Sequence, residues 1–91
     1  MLVGKVVGNI WATRKEEGLK GLKFLIVKPG LNDGENLGRE PIIVVDRLGA
    51  GVGDMVMVTQ GSTAAVWGEK QVPVDARVIG IIDSVDLEAE P

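Results

Sequence analysis

The stretch Leu2-Val3-Gly4-Lys5-Val6-Val7-Gly8-Asn9-Ile10-Trp11-Ala12-Thr13 decides how the rest of the chain is read. Its even positions, Leu2, Gly4, Val6, Gly8, Ile10 and Ala12, are all apolar or small. Its odd positions mix Val3 and Val7 with Lys5, Asn9 and Thr13. Alternation of period two with one apolar face predicts a β-strand over 2–13. Glycines at positions 4 and 8 of the core face imply strong coiling or a close backbone approach, as at a barrel corner.

The rest of the chain repeats this grammar. Val, Ile and Thr together make up 24 of the 91 residues, and 13 Gly and 4 Pro punctuate them. Short β-branched runs between turn residues predict an all-β barrel or sandwich. Arg14-Lys15-Glu16-Glu17-Gly18 reads as a solvated turn. A second strand is predicted over Leu22–Lys28, with Leu22, Phe24 and Ile26 on one face and Lys23, Leu25 and Val27 on the other. Pro29-Gly30 stops it, and 31–40, with Asn32-Asp33-Gly34, is turn-rich. Ile42–Asp46 is apolar on both faces, which predicts a strand covered on both sides.

After the small segment Gly49–Gly53 comes a further strand over Asp54–Thr59. Gly61–Ala65 predicts a short helical turn with Ser62 or Thr63 as N-cap. Gly68–Gln71 is polar and reads as a mobile loop. The last strand is predicted over Val72–Asp83, with Pro73 at an edge or first position. Five strands in this length predict a small five-stranded, OB-like barrel with one short helical turn, or a compact sandwich. Residues 1–84 make one domain, and 85–91 an acidic tail.

A chain of 91 residues is one domain, and one so small is marginal by itself. It has no Cys, hence no disulfide and no thiolate metal site, and no His. Oligomerisation is the remaining source of stability. Along the first strand Val3 and Val7, and along the last Ile79 and Ile81, fall on the face that also carries polar residues, so these four are candidate subunit-interface residues. No cofactor or metal site is expected.

Composition also narrows the partners. The net charge is −3, and only Trp11, Phe24 and Trp67 are aromatic. A single-strand nucleic-acid binder would want a basic groove and several stacking aromatics. No apolar run approaches the roughly 18 residues of a membrane span, and the start does not read as a secretory signal, which predicts a cytoplasmic protein. Gly49-Ala50-Gly51-Val52-Gly53-Asp54 lacks the following helix that a dinucleotide fingerprint requires. It reads instead as a tight connection needing positive φ or close backbone approach. Asp46, Asp54, Asp75 and Asp83 fall near strand ends, where carboxylates accept turn hydrogen bonds. With no His, Cys or Tyr and two serines, a nucleophile with its base is hard to assemble, so no enzyme is expected.

The ordered motifs Gly4–Gly8, Ala12–Lys15, Leu19–Leu25, Val45–Asp54, Gly61–Ala64, Pro73–Ala76 and Ile79–Asp83 resemble those of bacterial microcompartment vertex proteins, the pentameric shell proteins of the EutN/CcmL family. The resemblance covers nearly the whole chain. It implies an OB-like barrel forming a cyclic homopentamer, which closes the vertices of a polyhedral shell tiled by hexameric and trimeric shell proteins. A fivefold axis crowds five chains together and calls for small residues. Gly49, Ala50 and Gly51, or Gly61, Ser62 and Thr63, are the candidate pore segments. The chain departs from the family pattern at Ala65, where relatives often carry Arg, at Asp54, where Glu is frequent, and at Thr63, which replaces a Ser. The second reading is a small OB-like module binding nucleic acid or a small ligand.

Overall fold

A computed structural model describes residues 1–31, 40–68 and 70–86. The turn-rich reading of 32–39, and the part of the acidic tail over 87–91, lie outside the described residues. The described residues form seven strands: β1 (Leu2–Ile10), β2 (Lys23–Pro29), β3 (Ile42–Asp46), β4 (Met55–Gln60), β5 (Val66–Trp67), β6 (Lys70–Gln71) and β7 (Ala76–Ile82). Five of them close a barrel in the order β1-β2-β3-β7-β4. All its pairings are antiparallel except β3 with β7, whose register sets Val45 beside Arg77. Closure leaves no barrel strand with an open edge.

The interior is filled by one row from each strand. Val6, Leu25, Val27, Val44, Val56, Val58, Ala76 and Val78 form the buried core together with Ala50. Of the two faces read from Leu22–Lys28, the one carrying Leu25 and Val27 points inward. Gly4 is buried in the same layer, and a Cβ there would meet Val27 Cγ1 at 2.5 Å and the Lys28 carbonyl oxygen at 2.8 Å. The close approach expected of this glycine is therefore to the neighbouring strand of its own barrel.

Two β-bulges change which side chains face out. Between Val6↔Val27 and Gly8↔Ile26, strand β1 uses one extra residue, Val7. Between Val58↔Val78 and Met57↔Gly80, strand β7 uses one extra residue, Ile79. Directly opposed residues share a face, so each bulge inverts the alternation beyond it. A Cβ on Gly8 would lie 3.3 Å from Ile26 Cδ1, and one on Gly80 3.7 Å from Met57 Sδ. Gly8 and Ile10 thus leave the core face predicted for them and join Ile26 and Phe24 outside. Likewise Ile81 lines up with buried Val56 at the barrel mouth, so it does not share a face with Ile79 as uninterrupted alternation implies.

Other differences are local. The turn over Ser62–Ala65 is a 3-10 helix whose N-cap is Gly61, at φ 81°, rather than Ser62 or Thr63. The Ala64 N–H donates to the Gly61 carbonyl at 3.1 Å, which closes the turn one residue earlier than a Ser62 or Thr63 cap would allow. The Thr63 hydroxyl donates to the Gln60 carbonyl at 3.3 Å. β5 and β6 form a two-residue hairpin through Gly68 (φ 65°) where a polar loop is expected. Val72–Asp75 lies outside β7, because Pro73 cannot donate to a ladder and Val74 N–H turns back to the Val72 carbonyl. β3 is not covered on both sides throughout: Val44 and Val45 are buried, yet Ile43 is 58% exposed.

Candidate functional site

The loop between β3 and β4 is built around a carboxylate. Asp46 ends the inward row of β3 and is 3% exposed. It accepts the N–H of Leu48 at 2.9 Å on Oδ1, and those of Gly49 at 3.1 Å and Ala50 at 2.7 Å on Oδ2. The register sets Lys23 opposite Asp46, with its ammonium 3.9 Å from Oδ2. The same ammonium donates to the Ala50 carbonyl. This turn drives Ala50 into the core, where it is fully buried.

Asp54 closes the far side of the loop. Its Oδ2 accepts the Gly51 N–H at 2.9 Å, while its own N–H donates to the Gly51 carbonyl at 3.0 Å. Gly49 and Gly53 hold φ of 94° and 97°. Such values strain any residue with a Cβ, which is why glycine stands there. A Cβ at Gly49, Gly51 or Gly53 would meet nothing within 4 Å, so no close approach inside the chain explains these glycines. Gly61 is the same, and Gly61, Ser62 and Thr63 are all exposed.

The two small-residue segments stand at opposite ends of β4. Six strand residues at about 3.3 Å each put them about 20 Å apart. Ala50 is the exception among the six candidate axis residues, because its side chain belongs to the core.

Inverted by the bulge at Val7, the outer side of β1-β2-β3 is an apolar sheet. The register aligns Gly8, Ile26 and Ile43 in one row, and Ile10, Phe24 and Val45 in the next. Ile10, Phe24 and Ile26 are half-buried, and Ile43 is exposed. Sequence alternation missed this surface, because it assigned Gly8 and Ile10 to the core. A usable signal was present in Ile42–Asp46, whose two apolar faces imply a cover that the single chain does not supply at Ile43. Where β1 meets β4, Val3 pairs with Met57 on the outer face, and Val7 and Ile79 are the extra residues at the two bulges.

The family model described as ethanolamine utilisation protein EutN/carboxysome matches residues 1–83. The chain belongs to the EutN/CcmL family. It is 40% identical over 89 residues to the carboxysome shell vertex protein CcmL of Synechococcus elongatus, covering 97% of this chain and 89% of that one. Among solved structures, the pentameric shell protein of the RMM microcompartment is 40% identical, with a TM-score of 0.77 over 90% of this chain and all of that one. The GrpN pentameric microcompartment shell protein of Rhodospirillum rubrum is 37% identical, with a TM-score of 0.80 over 98% of this chain and 100% of that one.

The closed five-stranded barrel is thus the EutN/CcmL fold. The apolar β1-β2-β3 face, with Ile43 exposed, stands in a fold whose solved relatives are described as pentamers. Among the described residues no group of His, Cys, Asp or Glu is arranged to hold a metal.

Proposed function

We propose that five copies of this chain form a ring that occupies the vertices of a polyhedral bacterial microcompartment shell in the cytoplasm. The observation that carries this reading is the match of nearly the whole chain to shell vertex proteins. Sheets of sixfold tiles lie flat, and a fivefold unit supplies the curvature by which a shell closes. Hexameric and trimeric shell proteins are its neighbours there. The role is geometric and not enzymatic: shape and complementary faces are needed, and no proton transfer.

A cyclic ring uses a heterologous interface, in which one patch meets a different patch on the next copy. The outer rows of β1-β2-β3 provide one patch. Val3, Val7 and Ile79, toward β4 and β7, provide the other; Ile81, turned to the barrel mouth by the bulge, is left out of it. Gly49 and Gly51, or Gly61, Ser62 and Thr63, approach the axis. The small-residue loops, open inside one chain, leave room for the neighbours.

Mass measurement by light scattering tests the ring. The expected particle is about 48 kDa, five chains of 9.6 kDa. A stable monomer across micromolar concentrations would overturn the reading. Coexpression with a hexameric shell protein should yield closed particles, and omission of this chain open or elongated ones.

A further inference from the structure

Beside Val45 two cations meet on one indole. Arg47 follows β3, and Arg77 is the second residue of β7. Their guanidinium carbons lie 4.9 and 5.2 Å from the centroid of the Trp67 ring. Trp67 is itself fixed, because its indole N–H donates to the Ala64 carbonyl at 2.7 Å. With Val45, Leu48, Val78 and Ile79 these three side chains line an open cavity of about 430 Å³.

The cavity has an electrostatic deficit. No lining residue among those described is acidic, and neither arginine has an ion-pair partner among the described residues. The Arg77 Nε–H is buried without an acceptor. A buried charged donor left unpaired is costly, and two like charges held on one ring repel. Stacking on the indole offsets only part of this. An anion seated between the guanidiniums would relieve both.

The walls select the kind of anion. Leu48 and Ile79 present exposed hydrocarbon beside the two arginines, which an inorganic oxyanion would leave wet. We propose that this pocket binds an organic carboxylate, its oxygens on Arg47 and Arg77 and its apolar body against Leu48 and Ile79. Guanidinium forks match carboxylates well. A free small carboxylate and an Asp or Glu side chain of another protein chain offer the same chemistry. The proposal does not depend on the shell role.

The pocket carries its own reporter. Trp11 is 89% exposed and can be replaced, so Trp11→Phe leaves Trp67 as the sole indole. Butyrate, butyramide, inorganic phosphate and acetyl-Leu-Glu-amide are titrated at constant ionic strength while Trp67 emission is followed. The expected result is a saturable shift with a carboxylate and none with butyramide. Arg77→Met and Arg47→Met, which keep an apolar stem, should each weaken binding about tenfold. Tighter binding of the peptide than of butyrate identifies a protein side chain as the source, and the reverse order a free carboxylate. If a second copy of this chain already fills the pocket, both substitutions lower the assembled mass instead, which also supports a protein carboxylate. Circular dichroism checks that each variant folds, and exposed Arg47 keeps the test alive if Arg77→Met does not. An equal response to phosphate would overturn the assignment. So would the absence of both a saturable shift and a mass change.

Discussion

The Asp46 carboxylate accepts the Ala50 N–H at 2.7 Å, and both residues are buried. One side chain therefore decides that a loop residue becomes part of the core. Together with the bonds from Leu48 and Gly49, it fixes the start of the small-residue segment.

Asp46→Asn should destabilise the fold by about 1–3 kcal/mol, because one carbonyl oxygen replaces two acceptors and a buried N–H loses its partner. Urea denaturation at fixed protein concentration checks this. Concentration must be held constant because assembly adds to apparent stability. An unchanged midpoint would show that water replaces the carboxylate.

Gly4→Ala should cost about 1–3 kcal/mol, since strands β1 and β2 must separate to admit the methyl group. The 2.5 Å approach to Val27 Cγ1 and the 2.8 Å approach to backbone oxygen leave no flexible group to yield alone. Thermal unfolding measures it, and Gly51→Ala, where a Cβ meets nothing within 4 Å, is the matched control.

Ile43→Glu should leave the barrel folded and lower the assembled mass. Ile43 is 58% exposed in the single chain, so its replacement removes little from the core. Placed against another copy, the carboxylate would be buried without a partner. Circular dichroism and light scattering read the two effects separately. Intact assembly would remove the β1-β2-β3 face from the interface.

The two candidate axis segments are separable by bulk. Ser62→Leu should disturb the ring more than Gly51→Leu, because Gly61–Thr63 is exposed throughout whereas Ala50 turns its segment into the core. Native mass and thermal stability of the two variants give the comparison. The opposite order would assign the axis to the β3–β4 loop, and no effect from either would remove both segments.

Much of this protein is local information. Alternation over Leu2–Val6, β-branched runs and glycine spacing determine that the chain forms short strands around a small core, because strand side chains repeat every two residues. The order of motifs determines the family. Gly49 and Gly53 announce positive φ, since every other residue would be strained there. What alternation could not supply is the number of residues opposing each other across strands. A bulge at Val7 or Ile79 depends on the partner strand's register, and it exchanges inside for outside without a mark in composition. For the same reason Gly8 and Ile10 read as core, and Ile81 as a companion of Ile79. The tertiary structure alone brought Arg47 and Arg77 onto Trp67, three residues distant in sequence, because only the parallel pairing of β3 with β7 sets those strands side by side.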